Sequence, residues 1–185
     1  LILPEGVPPD WAEQLLTFWF GLSDEQHWSG DPELDAEIRA RFEGWWTALR
    51  QQPAEEFLAT PDQALAGAIL FDQLPRNMFR GHAEQFSTDL LARAIAAGAV
   101  DHGLDERLAP ERRTFLYMPF EHSEKRDDQR RSLLLFARLG EPRQLDYARR
   151  HRDIVERFGR FPHRNVMLGR VPTEEERAAG SPEPF

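Results

Sequence analysis

A chain of 185 residues, 41% apolar and 30% charged, suits one folded domain and excludes bulk disorder. It has no cysteine, which excludes a disulfide framework, a thiolate nucleophile, a Cys-ligated zinc and an iron–sulfur cluster, and fits the cytoplasm. With 23 basic against 32 acidic residues the formal charge is −9, which disfavours a long nucleic-acid surface.

Taken in chain order, the pattern is helical almost throughout. Residues 1–10 lack a basic segment followed by an apolar one, so no signal peptide is expected. Asp10 and Glu13 have capping-box spacing and open a helix over Trp11–Phe20. Asp31-Pro32 reads as an N-cap followed by Pro at the first helical position. Leu34, Ile38, Phe42, Trp45 and Leu49 then form one stripe on one helix face, with Asp35 and Arg39 placed to pair beside it. The aromatic group Phe18, Trp19, Phe20, Trp28, Trp45 and Trp46 is read first as core and second as a stacking platform. Thr60-Pro61 starts another helix, predicted to stop at Leu74 because Pro75 follows. A fourth helix covers about Glu84–Ala97, with Gly98 as its stop. Pro110 begins a fifth, ended or kinked at Pro119. The sixth and seventh span about Glu124–Leu139 and Pro142–Phe158, each followed by glycine. Thr173 and Glu176 have capping-box spacing, but few apolar residues follow. Residues 1–170 are therefore read as one helical domain and 171–185 as a poorly ordered tail. No apolar run approaches the ~20 residues of a membrane span, so no membrane partner is expected.

Three segments carry chemistry. Phe71-Asp72-Gln73-Leu74-Pro75-Arg76-Asn77 is nearly repeated in Phe158-Gly159-Arg160-Phe161-Pro162-His163-Arg164-Asn165. Each copy offers a forked cation and an amide after a proline, a chemistry suited to carboxylate or phosphate. The candidate ligand-binding residues are Asp72, Arg76, Asn77, Arg80, Arg160, His163, Arg164 and Asn165. The bland reading is that each Arg and Asn bonds the orphan carbonyls of its own helix. Phe120-Glu121-His122-Ser123-Glu124 places titratable groups at a helix interruption, where Ser123 also suits an N-cap. Arg149, Arg150, Arg152, Arg157, Arg160, Arg164 and Arg170 make a locally basic stretch, with His151 beside its buried stripe. Glu121, His122 and His151 are the candidate catalytic residues. No cofactor is expected. A divalent metal held by His122, His151 and His163, or by two of them with Glu121 or Asp153, has no supporting ligand spacing.

Phe18-Trp19-Phe20-Gly21, Asp72 to Asn77, Tyr117 to Glu124 and Phe158 to Asn165, in that order, resemble a bacterial family of unknown function, number 924 in its series. The resemblance spans about residues 11–170. The chain's own pattern gives about seven or more helices, which suit a bundle or a solenoid; the resemblance implies an all-α fold, an α-α superhelix similar to tetratricopeptide-repeat domains, and no established activity.

Three functions remain open. The first is a binding module for an anionic small molecule or acidic peptide. The second is a hydrolase or lyase using a His/Glu acid–base pair in the same pocket. The third is a structural or partner-binding protein whose polar motifs only lock loops. The charge distribution permits a homo-oligomer without requiring one.

Overall fold

Helix starts in this chain are set by short polar caps. In the computed structural model, which describes residues 3–180 and 182–183, Asp31 accepts from the Glu33 amide and Thr60 from the Gln63 amide. Each precedes a proline, which has no N–H to leave unsatisfied. They open α3 (Pro32–Leu49) and α4 (Pro61–Ala68). Before them run α1 (Trp11–Gly21) and α2 (Asp24–Trp28), the latter started by a capping box between Ser23 and Gln26. Asp10 does not cap α1. Its backbone is wrongly turned and its carboxylate instead accepts from Gln14 at 2.9 Å.

The helix that begins at Pro61 does not stop at Leu74. It passes through one π-turn at Ile69–Gln73 and continues as α5 (Leu74–Met78). Pro75 has no N–H for the carbonyl of Phe71, four residues earlier. The hydroxyl of Thr88 supplies the missing donor at 2.8 Å. Thr88 in turn accepts from the Trp46 indole at 3.1 Å. Residues 64–75 are all buried, so this interrupted helix is the axis of the core.

The remaining helices are α6 (Asp89–Asp101), α7 (Pro110–Glu121), α8 (Arg126–Leu139), α9 (Pro142–Phe158) and α10 (Glu174–Ala178). Gly98 lies inside α6 rather than ending it, and a side chain there would collide with Leu58. Pro119 likewise sits inside α7, which runs on to Glu121. Gly140 and Gly159 do end α8 and α9, in left-handed backbone at φ 79° and 72°.

The fold is all-α, with no strand among the described residues. α1, α6 and α7 pack against α4, and α3 packs against α5. From α6 onward the helices stack in chain order, α7 on α6, α8 on α7 and α9 on α8, as in an α-α superhelix. No helix among the described residues is long and apolar enough to cross a membrane.

The segment expected as a tail is instead folded over 171–180. Thr173 and Glu176 form a capping box for α10, and Glu176 is 1% exposed. Polar docking explains what apolar periodicity missed. Glu176 accepts from Arg160 at 2.6 and 2.8 Å and from Asn165 at 3.0 Å. Residues 181, 184 and 185 lie outside the described residues.

Candidate functional site

The π-turn turns Asp72, fully buried, toward the end of α7. Both carboxylate oxygens lie 2.9 Å from Nδ1 of His122. Gln73 also donates to Asp72. Burial alone would raise the Asp72 pKa, but Arg76 and His122 hold it far below the usual carboxylate range. An ionised carboxylate only accepts, so Nδ1 of His122 carries the proton and donates. Burial lowers the His122 pKa, Arg76 assists, and Asp72 opposes without reversing the direction. That direction favours the neutral ring, whose lone pair then lies on Nε2.

Arg76 leaves the same helix one turn later and makes a forked pair with Asp89 at 3.0 and 3.1 Å. Asp89 is the first residue of α6 and is also the nearest carboxylate to Arg164, at 3.6 Å. The two duplicated loops thus meet at one carboxylate. Arg164 is 7% exposed and lies between two aromatic rings, 4.6 Å from the Phe86 centroid and 4.5 Å from that of Phe161. Its Nη2 donates to the His122 carbonyl at 3.0 Å, while its buried Nε has no hydrogen-bond partner. Burial and the charge of Arg76 lower its pKa to about 10.

A second carboxylate–histidine pair adjoins the first. Nδ1 of His151 lies 2.9 Å from Glu121 and 2.9 Å from the Tyr147 carbonyl. The rings of His122 and His151 are 5.9 Å apart, and Phe161 packs against both His151 and His163. His163 is lowered to about 4 by burial and by the charge of Arg164. Among the described residues no group of three metal-ligating side chains is disposed to hold a metal ion.

Eight of the eleven candidates were expected in one ligand pocket, and the structure divides them. Asp72, Arg76, His122 and Arg164 come together, with Glu121, His151 and His163 alongside. Asn77 and Arg80 do not join them. Both bind Asp35 instead, at 2.8 Å and at 2.7 and 2.9 Å, and tie α3 to α5. Asp35 therefore has no bond to Arg39, which pairs with Glu43. Arg160 and Asn165 are spent on Glu176 and anchor α10. Ser123 is no helix cap; it donates to Asp128 at 2.6 Å.

Sequence reasoning missed Asp89, Phe86 and the pair of Glu124 with Arg170 at 2.8 and 3.0 Å. No local signal marks the first two. The aromatic platform is largely core: Trp19 and Trp46 are buried, although Trp28 is 49% exposed. A cleft of about 520 Å³ between α1 and α3, lined in part by Phe18, Arg41, Phe42 and Trp45, contains none of the candidate residues. The polar cluster remains the stronger candidate, because a small anionic group is held by N–H donors rather than by a large cavity.

The fold and the site together define an all-α superhelical protein with a buried polar cluster between its helix ends. The chain belongs to the family described as bacterial protein of unknown function (DUF924), whose model matches residues 15–179. A solved structure, the protein of unknown function ATU0120 from Agrobacterium tumefaciens, is similar at 38% identity, with a TM-score of 0.86, covering 91% of this chain and 95% of that one. No curated protein matches the chain.

Proposed function

We propose that this protein binds a small molecule through an anionic group, a carboxylate or phosphate, at the meeting point of its two Arg-Asn loops. The observation that carries this is Arg164. It is a buried guanidinium whose Nε is unbonded and whose only carboxylate within 4 Å among the described residues, at 3.6 Å, is already forked by Arg76. Such a cation is under-compensated, and an arriving anion would relieve it. The partial exposure of Arg76 and Asp89, 20% each, brings the cluster to the surface.

The test is thermal unfolding in sodium phosphate and in sodium acetate at constant ionic strength. A ligand at a hundredfold excess over its Kd adds about 2.7 kcal/mol of stability. The wild type and R80Q, whose arginine belongs to the Asp35 lock, should both be stabilised. R164Q, folded by circular dichroism, should not. Equal stabilisation of R164Q overturns the proposal.

The Asp72–His122 contact favours a second reading, in which the bound anion is also a substrate. Neutral His122 would then accept a proton at Nε2 as general base, oriented by Asp72. This reading requires H122Q to keep anion binding and lose turnover of a carboxylate or phosphate ester.

A further inference from the structure

Six large apolar side chains are exposed among the described residues, and four of them lie on the two segments that carry Arg164 and its nearest carboxylate, Asp89. Leu90 is 69% exposed and follows Asp89 at the start of α6. Val166 at 90%, Leu168 at 37% and Val171 at 80% lie on the loop that leaves Arg164. These two segments abut. Arg164 reaches Asp89 at 3.6 Å, and Gln85 donates to the sulfur of Met167 at 2.8 Å.

The loop is not a loose end. Arg170 closes it by binding Asn165, Glu124 and the Phe161 carbonyl, all within 3.0 Å. The Leu168 amide bonds back to the Arg164 carbonyl at 3.0 Å. Three apolar side chains in six residues are therefore held outward by a tied loop beside an under-compensated cation. Scattered surface apolar residues need no explanation, but such a grouping marks a contact surface.

We propose that the molecule bound at Arg164 is amphiphilic: a free alkyl carboxylate whose head meets Arg164 and whose chain lies on Leu90, Val166, Leu168 and Val171. This rests on the anion-binding reading above and adds the chemistry of the ligand body. Charge complementarity fixes the head, and the bordering apolar residues fix the tail.

The experiment is calorimetric titration with acetate, hexanoate, octanoate and decanoate, each below its micellar concentration, alongside inorganic phosphate and the uncharged alcohol octanol. In the wild type, affinity should rise about two- to fourfold per added CH₂. In V166S/V171S the rise should flatten while acetate binds as in the wild type. In R164Q all the carboxylates should lose affinity. If phosphate and acetate bind but chain length has no effect, this inference falls and the anion site stands. If no anion binds, the anion-binding reading itself falls and takes this inference with it. If octanol binds as tightly as octanoate, or if the rise survives in V166S/V171S, the amphiphile assignment is wrong. Binding to anionic phospholipid vesicles in place of the free carboxylates would also overturn it.

Discussion

His163 reports on the cluster most directly, because its charge is suppressed by burial and by Arg164. Its pKa falls from the usual 6.5 to about 4. Between those values the unfolded chain binds more protons than the folded one, so stability falls as the pH drops from 6.5 toward 4. His122 shifts in the same direction. The depressed carboxylates, Asp72, Glu124 and Glu176, act mainly below their usual values of 3.8 and 4.5. A comparison of pH 7 with pH 5 therefore reports chiefly on the histidines. We expect the urea midpoint of the wild type to fall between these conditions, and that of H163Q to fall by less. Equal slopes would mean that His163 is not held neutral by its surroundings. The arginines show how much of the site was legible at this level. The residue types at 76, 80, 160 and 164 suit carboxylate recognition, and three of the four are answered mainly by the protein's own carboxylates. Their partners Asp89, Asp35 and Glu176 stand 13, 45 and 16 residues away. Nothing in a local motif can pair groups at such separations, so the split between cluster and locks appears only once the helices pack.

Thr88 explains why a helix with proline in its middle survives. The residue is 4% exposed, donates to the carbonyl that Pro75 strands and accepts from the Trp46 indole. Removing the hydroxyl while keeping the shape leaves a buried acceptor and a buried donor unpaired, at about 1–3 kcal/mol each. T88V should therefore lower the unfolding free energy by about 2 kcal/mol or more, and T88S should restore most of it; denaturant titration checks both. A T88V variant as stable as the wild type would remove Thr88 from the account. Helix existence was legible here because apolar spacing and the caps at Asp31 and Thr60 are local. The continuation through Pro75 was not. It depends on a hydroxyl from a loop 13 residues downstream and on a π-turn that no periodicity announces. The same π-turn aims Asp72 at His122, so the misread helix end and the unseen Asp–His pair have one cause.

Glu176 carries the last connection, because it draws the C-terminal segment onto the loop that bears Arg164. It accepts from Arg160, Asn165 and the Thr173 amide, and the Arg160 bonds above all hold its pKa at about 2. A carboxylate whose folded pKa is depressed lends stability above its unfolded value, here 4.5, and loses it as the pH falls toward 2. The stability difference between wild type and E176Q should thus be full at pH 7 and vanish near pH 2. Hydrogen exchange should accelerate in E176Q over 160–180 and stay unchanged over 64–75, the buried core axis. The sequence reads residues 171–185 as a poorly ordered tail, since few apolar residues follow Thr173. Residues 171–180 dock by charge, through Glu176 onto Arg160 and Asn165, which the sequence reading assigns to a ligand. If the loop at 160–165 is set by that contact, E176Q should also weaken phosphate binding without touching Arg164 itself. Phosphate affinity equal to the wild type, in a variant with faster exchange at 160–180, would show that Arg164 is placed by Phe86 and Phe161 alone.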